Sequence, residues 1–280
     1  MTVRIHAIST GHVRIKGAQI MRRPGGPLRV MGDRDWSDWL PIHAWLIDHP
    51  EGPILVDTGE ACGASSAGYF PRWHPYYRHS VAFAIAPDDE LGPALARLGV
   101  RIPDVRTVLL THLHTDHAGG LRHLAHSTVW VSAPEWRFAS GLRGALRGYV
   151  TRHWPAGLAP RFYDFSGPPL GPFAHTCAIT KARDVVVVPT PGHTPGHVSV
   201  IVRVGDIRYF LAGDASYTDD ALRARIADGV TFFPRAAVRT LDRIAAYART
   251  GPTVYLPTHD PRSAARLRET EILMTDAGPP

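Results

Sequence analysis

Cysteine is scarce in this 280-residue chain, with only Cys62 and Cys177. Two thiols cannot build a disulfide framework, so a reduced, cytoplasmic setting is the default expectation. Lysine is just as scarce: Lys16 and Lys181 stand alone, and every other basic residue is an arginine scattered along the chain. The formal net charge of +6 raises nucleic acid or an anionic membrane as partners. No basic run is interleaved with aromatics as a nucleic-acid track requires, so a solvated arginine surface is expected, with neither nucleic acid nor membrane as partner. No apolar run approaches the roughly 18 residues a membrane span needs. The opening MTVRIHAIST alternates apolar and polar residues and has no signal-peptide core. A GxSxG nucleophile elbow is also missing, so no serine nucleophile announces itself.

What remains is a foldable chain with 44% hydrophobic residues, rich in glycine (26), proline (25) and histidine (16). With no tripeptide period and no internal repeat, the glycine and proline point to a loop-rich globular fold. Apolar runs predict strands at Val3–Ile8, Ala44–Ile47, Pro53–Asp57, Thr107–Leu110, Thr128–Val131, Val185–Pro189, Ser199–Val204, Tyr209–Ala212 and Thr253–Leu256. Helices are expected at Asp88–Leu98, Ala133–Ser140, Asp219–Ala227, Arg235–Thr250 and Arg262–Ile272. Strands alternating with helices in both halves suggest an α/β fold of two sheets with helices outside, in one domain spanning 1–280. The Gly-, Pro- and aromatic-rich stretches around 22–39 and 60–83 read as long loop insertions.

The chemistry concentrates in THLHTDHAGG, residues 111–120, just after the strand Thr107–Leu110. It sets His112, His114, Asp116 and His117 within six positions. Alternate residues on an extended segment point the same way, so His112 and His114 can grip one metal ion. Asp116 and His117, beyond the turn, can face a second. Imidazole with carboxylate suits zinc first, with iron, manganese or cobalt as alternatives. Three more apolar strands run into metal-competent side chains: His193 and His197 in PTPGHTPGH, Asp214 in FLAGDASY, and His259 in YLPTHD.

These motifs, in this order, resemble the metallo-β-lactamase superfamily, whose HxHxDH signature residues 112–117 match. The resemblance implies an αββα sandwich of two mixed sheets with a two-metal site at their loop ends. By position, one ion would take His112, His114 and His193, the other Asp116, His117 and His259, and Asp214 would bridge them. His197 and Asp57 would support the ligands through hydrogen bonds. Carbapenem-hydrolysing members lack an aspartate at the position of Asp214, and flavodiiron proteins carry a carboxylate where this chain has His114.

Within the superfamily, GDASYT at 213–218 is most similar to the N-acyl homoserine lactonases, in which a tyrosine follows the bridging aspartate by three residues. The resemblance implies ring opening of a small-molecule lactone as part of quorum quenching. Tyr217 would donate a hydrogen bond to the lactone carbonyl, and Asp116 would shuttle a proton to the leaving group. Another small lactone, an ester or an organophosphate is the alternative substrate. A nuclease or phosphodiesterase, or a metal-binding protein without catalysis, is less well supported. A homodimer is left open as the assembly.

Overall fold

The computed structural model describes residues 3–274, and twelve strands form among them. Seven belong to one sheet: β1 (Arg4–Ile15), β2 (Leu40–Asp48), β3 (Ile54–Val56), β4 (Val81–Ala84), β5 (Thr107–Leu109), β6 (Thr128–Val131) and β7 (Arg161–Phe162). Their spatial order is β4-β1-β2-β3-β5-β6-β7. Five build the second sheet: β8 (Cys177–Ala178), β9 (Val185–Pro189), β10 (Val198–Val204), β11 (Ile207–Gly213) and β12 (Thr253–Pro257), in the order β12-β11-β10-β9-β8. Both sheets are mixed. β3, β5, β6 and β7 run parallel, as do β11 and β12, while the remaining pairs are antiparallel.

Side-chain alternation explains the layering. In β2, Trp45 and Ile47 face the second sheet and pack with Val187, Val200 and Leu256, whereas Ala44 and Leu46 face outward toward Leu91 and Leu95. Phe210 and Tyr255 on the outer face of the second sheet meet Leu241, Ile244 and Ala245 of the helix Pro234–Ala248. Central strands such as β2 and β9 are thus covered on both faces, which accounts for apolar runs such as Val185–Val188. The result is two mixed sheets between helices, as expected of an αββα sandwich.

Parallel pairing positions the functional residues. Because Val56 lies opposite Leu109, the ends of β3 and β5 coincide, and Asp57 arrives beside Leu110–His112. Gly213 opposite Pro257 likewise sets Asp214 next to Thr258 and His259. Gly59 lets the chain leave β3 close to β1: its φ is +67°, and a Cβ there would lie 2.0 Å from Thr10 Oγ1.

Some boundaries differ from expectation. β1 runs on to Ile15 across Gly11 (φ +100°) and an irregularity between Ser9 and His12. Expected helix 88–98 is a short 3₁₀ turn, Pro87–Asp89, followed by the helix Leu91–Ala96. The segments read as loops contain structure of their own. Gly26–Gly32 is a helix entered through Pro27, Pro75–His79 is a second entered through Pro75, and Val81–Ala84 is β4. Proline at the first turn is compatible with a helix because its missing N–H would have had no partner there. No helix among the described residues is long and apolar enough to cross a membrane.

Candidate metal centre

All seven residues expected to hold metal meet at one edge of the sandwich. His112 Nε2 and His193 Nε2 each lie 3.0 Å from His114 Nδ1, so three imidazole nitrogens from two sheets converge on one point. The donor atoms of Asp116, His117 and His259 form a second group within 4.8 Å of one another. Asp214 lies between the groups. Its Oδ1 is 3.2 Å from His117 Nε2 and 3.4 Å from His259 Nε2, while Oδ2 is 3.5 Å from His193 Nε2. One carboxylate therefore presents an oxygen to each side.

The donor set fits divalent metal ions. His117 Nε2 and Asp214 Oδ1 are buried yet neither makes a hydrogen bond. Buried polar atoms left without partners are costly, and a cation satisfies both at once. Imidazole and carboxylate donors without thiolate suit borderline divalent ions such as zinc, iron or manganese.

Outer contacts orient His117, His193 and His259. Asp57 Oδ2 accepts from His117 Nδ1 at 2.8 Å and from the Thr111 hydroxyl at 2.8 Å, and its Oδ1 accepts from Thr111 N–H at 2.8 Å. Asp228 accepts from His193 Nδ1 at 3.0 Å, and the Pro41 carbonyl accepts from His259 Nδ1 at 3.0 Å. These bonds place the proton on the outer nitrogen and leave the inner lone pair free. His197 also supports the site: its Nε2 accepts from the Asp214 backbone N–H at 3.0 Å. Gly213 must be glycine here, since its φ is +57° and a Cβ would lie 2.8 Å from His197 Nε2.

Burial holds His112 and His114 well below the ordinary histidine range, so both are neutral donors. Burial also disfavours charge on His117, but the carboxylates of Asp214 and Asp57 outweigh it and raise its pKa. His193 and His259 are raised in the same way, chiefly by Asp228 and by Asp214 respectively. Asp214 stays ionised: burial opposes its charge, yet His259 and His117 hold its pKa well below the carboxylate range.

A cavity of about 480 Å³ opens over this cluster. Asp116, His114, His193, Asp214, His259 and Tyr217 lie at its base, and Val13, Val30, Met31 and Phe83 supply apolar walls. Tyr217 is buried, its ring 5.3 Å from that of His259 and 6.0 Å from that of His193. Gln19 Nε2 donates to the Tyr217 hydroxyl at 2.9 Å and to the Tyr76 hydroxyl at 2.9 Å. The Tyr217 oxygen is thus an acceptor toward Gln19, which leaves its own proton free. Burial pushes the phenol pKa well above its ordinary value, so that proton is retained.

Three participants have no place in the sequence reading. Gln19 and Asp228 are isolated polar residues with no surrounding motif. Glu135 is fully buried and accepts from Leu113 N–H at 3.1 Å, Gly196 N–H at 3.2 Å and the Tyr149 hydroxyl at 2.7 Å. It thereby ties the loop of His112 and His114 to the loop of His193. Its one sequence signal is the Ser132-x-x-Glu135 capping spacing, with Ser132 accepting from Glu135 N–H at 3.3 Å.

The Metallo-beta-lactamase superfamily model matches residues 37–259. The chain belongs to that superfamily. A probable metallo-hydrolase of Mycobacterium bovis is 32% identical over 210 residues, 72% of this chain; the match spans 64% of that relative's length. The N-acyl homoserine lactonase AttM of Agrobacterium fabrum is 26% identical over 275 residues, 95% of this chain and 97% of AttM. Among solved structures, a Bacillus thuringiensis AiiA variant with N-decanoyl-L-homoserine bound at its active site superposes with a TM-score of 0.73. That pair is 20% identical and covers 98% of each chain, which shows the shared fold.

Proposed function

We propose that this chain is a two-metal hydrolase that opens the ring of N-acyl homoserine lactones. His112, His114 and His193 would hold one ion, Asp116, His117 and His259 the other, with Asp214 shared between them. Ions bound there supply Lewis acidity and a hydroxide nucleophile at neutral pH. The chain's own residues do the rest. Tyr217, with its proton uncommitted, donates to the lactone carbonyl oxygen as negative charge grows on it. Asp116, at the cavity base with Oδ2 3.5 Å from His259 Nε2, carries a proton to the departing ring oxygen. The apolar walls receive the acyl chain and keep water from it. Asp57 and Asp228 hold His117 and His193 at fixed angles, and Glu135 ties together the loops that carry the histidines.

The observation that carries this reading is the Gln19–Tyr217 pair, which aims a protonated phenol at the cavity base beside both histidine groups. The near full-length similarity to AttM supports the same substrate class. Metal analysis of the purified protein, together with turnover assays on lactones, thioesters, phosphodiesters and β-lactams, tests it. Two ions per chain and turnover of N-acyl homoserine lactones above the rest are expected. Preference for a phosphodiester, or full activity with a single ion, would overturn the proposal.

A further inference from the structure

Arginines that look scattered in the sequence are gathered by the fold. Four separate segments, 22–32, 70–83, 141–154 and 229–237, each contribute residues to the cavity lining, among them Leu28, Met31, Tyr76, Leu146, Arg147 and Phe232. None contains an Asp or Glu, yet all contain arginine. Arg23 and Arg29 flank Leu28, Arg72 and Arg78 flank Trp73, Arg143 and Arg147 accompany Leu142 and Leu146, and Arg235 follows Phe233. All seven of these arginines are exposed. None of them forms an ion pair among the described residues, whereas seven arginines elsewhere do.

The same segments hold most of the large apolar side chains left in water. Leu28 is 81% exposed, Leu142 90%, Leu146 67%, Trp73 58%, Phe233 49% and Met31 45%. Leu28, Met31, Leu146 and Arg147 line the cavity itself, and the others stand within four residues of a lining residue. Exposed apolar groups beside unpaired cations around a cavity mark a docking surface. Its charge also decides what can dock. A second copy seated face to face would set one arginine ring against another, which like-charge repulsion opposes. A nucleic acid would pair with the arginines but leave Leu28 and Leu142 in water. An anionic bilayer surface takes both, with lipid phosphates facing the guanidinium groups and the apolar tips entering the headgroup boundary.

We propose that the rim of the cavity docks on anionic phospholipid membranes, with the cavity mouth turned toward the lipid. That no helix among the described residues is long and apolar enough to cross a membrane does not bear on peripheral contact of this kind.

Co-sedimentation with vesicles tests the proposal, using phosphatidylcholine alone and phosphatidylcholine with roughly one third phosphatidylglycerol. Partitioning onto the anionic vesicles should be at least about tenfold stronger. It should fall about tenfold between roughly 0.1 and 0.5 M salt, as the screening length shortens. The double variant Leu142→Ser/Arg143→Glu should lose most of the binding, and so should Arg72→Glu/Trp73→Ser, an independent change on another segment. Neither pair belongs to the metal cluster. Thermal unfolding confirms that each variant is folded, and Arg97→Glu/Leu98→Ser, outside the rim, should bind as wild type does. Equal partitioning onto both vesicle types overturns the proposal. So does a dimer that Leu142→Ser/Arg143→Glu dissolves while vesicle binding is absent, and so does RNA binding that survives loss of Leu142 and Trp73.

Discussion

Replacing Asp57 with asparagine tests how His117 is oriented while leaving the local shape intact. Asp57 has a φ of +58°, a left-handed conformation that asparagine tolerates better than most residues, so the backbone can stay in place. The wild-type carboxylate accepts from both Thr111 donors and from His117 Nδ1. Asparagine keeps one acceptor, for Thr111 N–H, and turns an NH2 group toward His117. That pairing survives only if His117 moves its proton from Nδ1 to Nε2, the nitrogen 3.2 Å from Asp214 Oδ1. The lone pair needed to hold an ion is then lost. Disrupting the outer partner of a metal-binding histidine typically weakens affinity 10- to 100-fold, about 1.4 to 2.7 kcal/mol, and the wrong tautomer points to the upper end. The metal-free protein should change by less than about 1.5 kcal/mol, because removing a buried charge offsets part of the lost hydrogen bonding. Asp57→Ala should destabilise it further, leaving Thr111 N–H and His117 Nδ1–H without acceptors at about 1–3 kcal/mol each. Competition with a chromophoric chelator measures affinity, and denaturant unfolding of metal-free protein measures stability. An Asp57→Asn variant that binds both ions as tightly as wild type would refute the tautomer argument.

Tyr217→Phe should leave metal content unchanged and lower lactone turnover roughly 3- to 50-fold, mainly in kcat, because a metal shares the carbonyl with the phenol; wild-type kcat across a lactone panel rules out a catalytic tyrosine. Glu60 is buried, and burial pushes its carboxyl from 4.5 up to about 7. A carboxyl raised on folding binds more protons in the native state, so it destabilises progressively as pH rises from about 4.5 to 7. Glu60→Gln should therefore gain on wild type between about pH 5 and pH 8, by up to about 3 kcal/mol in unfolding experiments; a pH-independent difference contradicts this. Chelation should lower the thermal midpoint, since each ion present at 100 times its Kd adds about 2.7 kcal/mol. A midpoint indifferent to chelator would show that the cluster holds nothing tightly.

The sequence reads best where one short stretch decides the outcome. β6 and β9 begin and end as their apolar runs predict, because strands covered on both faces admit few polar residues. The HxHxDH stretch is equally legible, since all its side chains serve one place. β2 is only half recognised. Pro41 and His43 interrupt its apolar run, although Pro41 is accommodated opposite His12 at the irregular end of β1. β7 and β8 have two residues each, too few for any period to show. Gln19, Glu135 and Asp228 are invisible for another reason: each acts across a long sequence separation, as Gln19 does on Tyr217, 198 positions away. Such partners are chosen by the fold: Gln19 and Asp228 leave no local pattern, and the capping spacing at Glu135 speaks of a helix start and not of its distant contacts.

The division of the histidine and aspartate cluster between the sheets bears on how the chain assembles. His112, His114, Asp116 and His117 follow β5 of the seven-stranded sheet, whereas His193, Asp214 and His259 follow β9, β11 and β12 of the other. Neither half holds the whole cluster. An ion held there acts as a clasp between two halves that must first meet, so tight loading comes late in folding and reports that docking has occurred. A newly made chain with unjoined sheets would compete poorly for scarce metal, and a loaded one would resist opening along the seam where its substrate cavity begins.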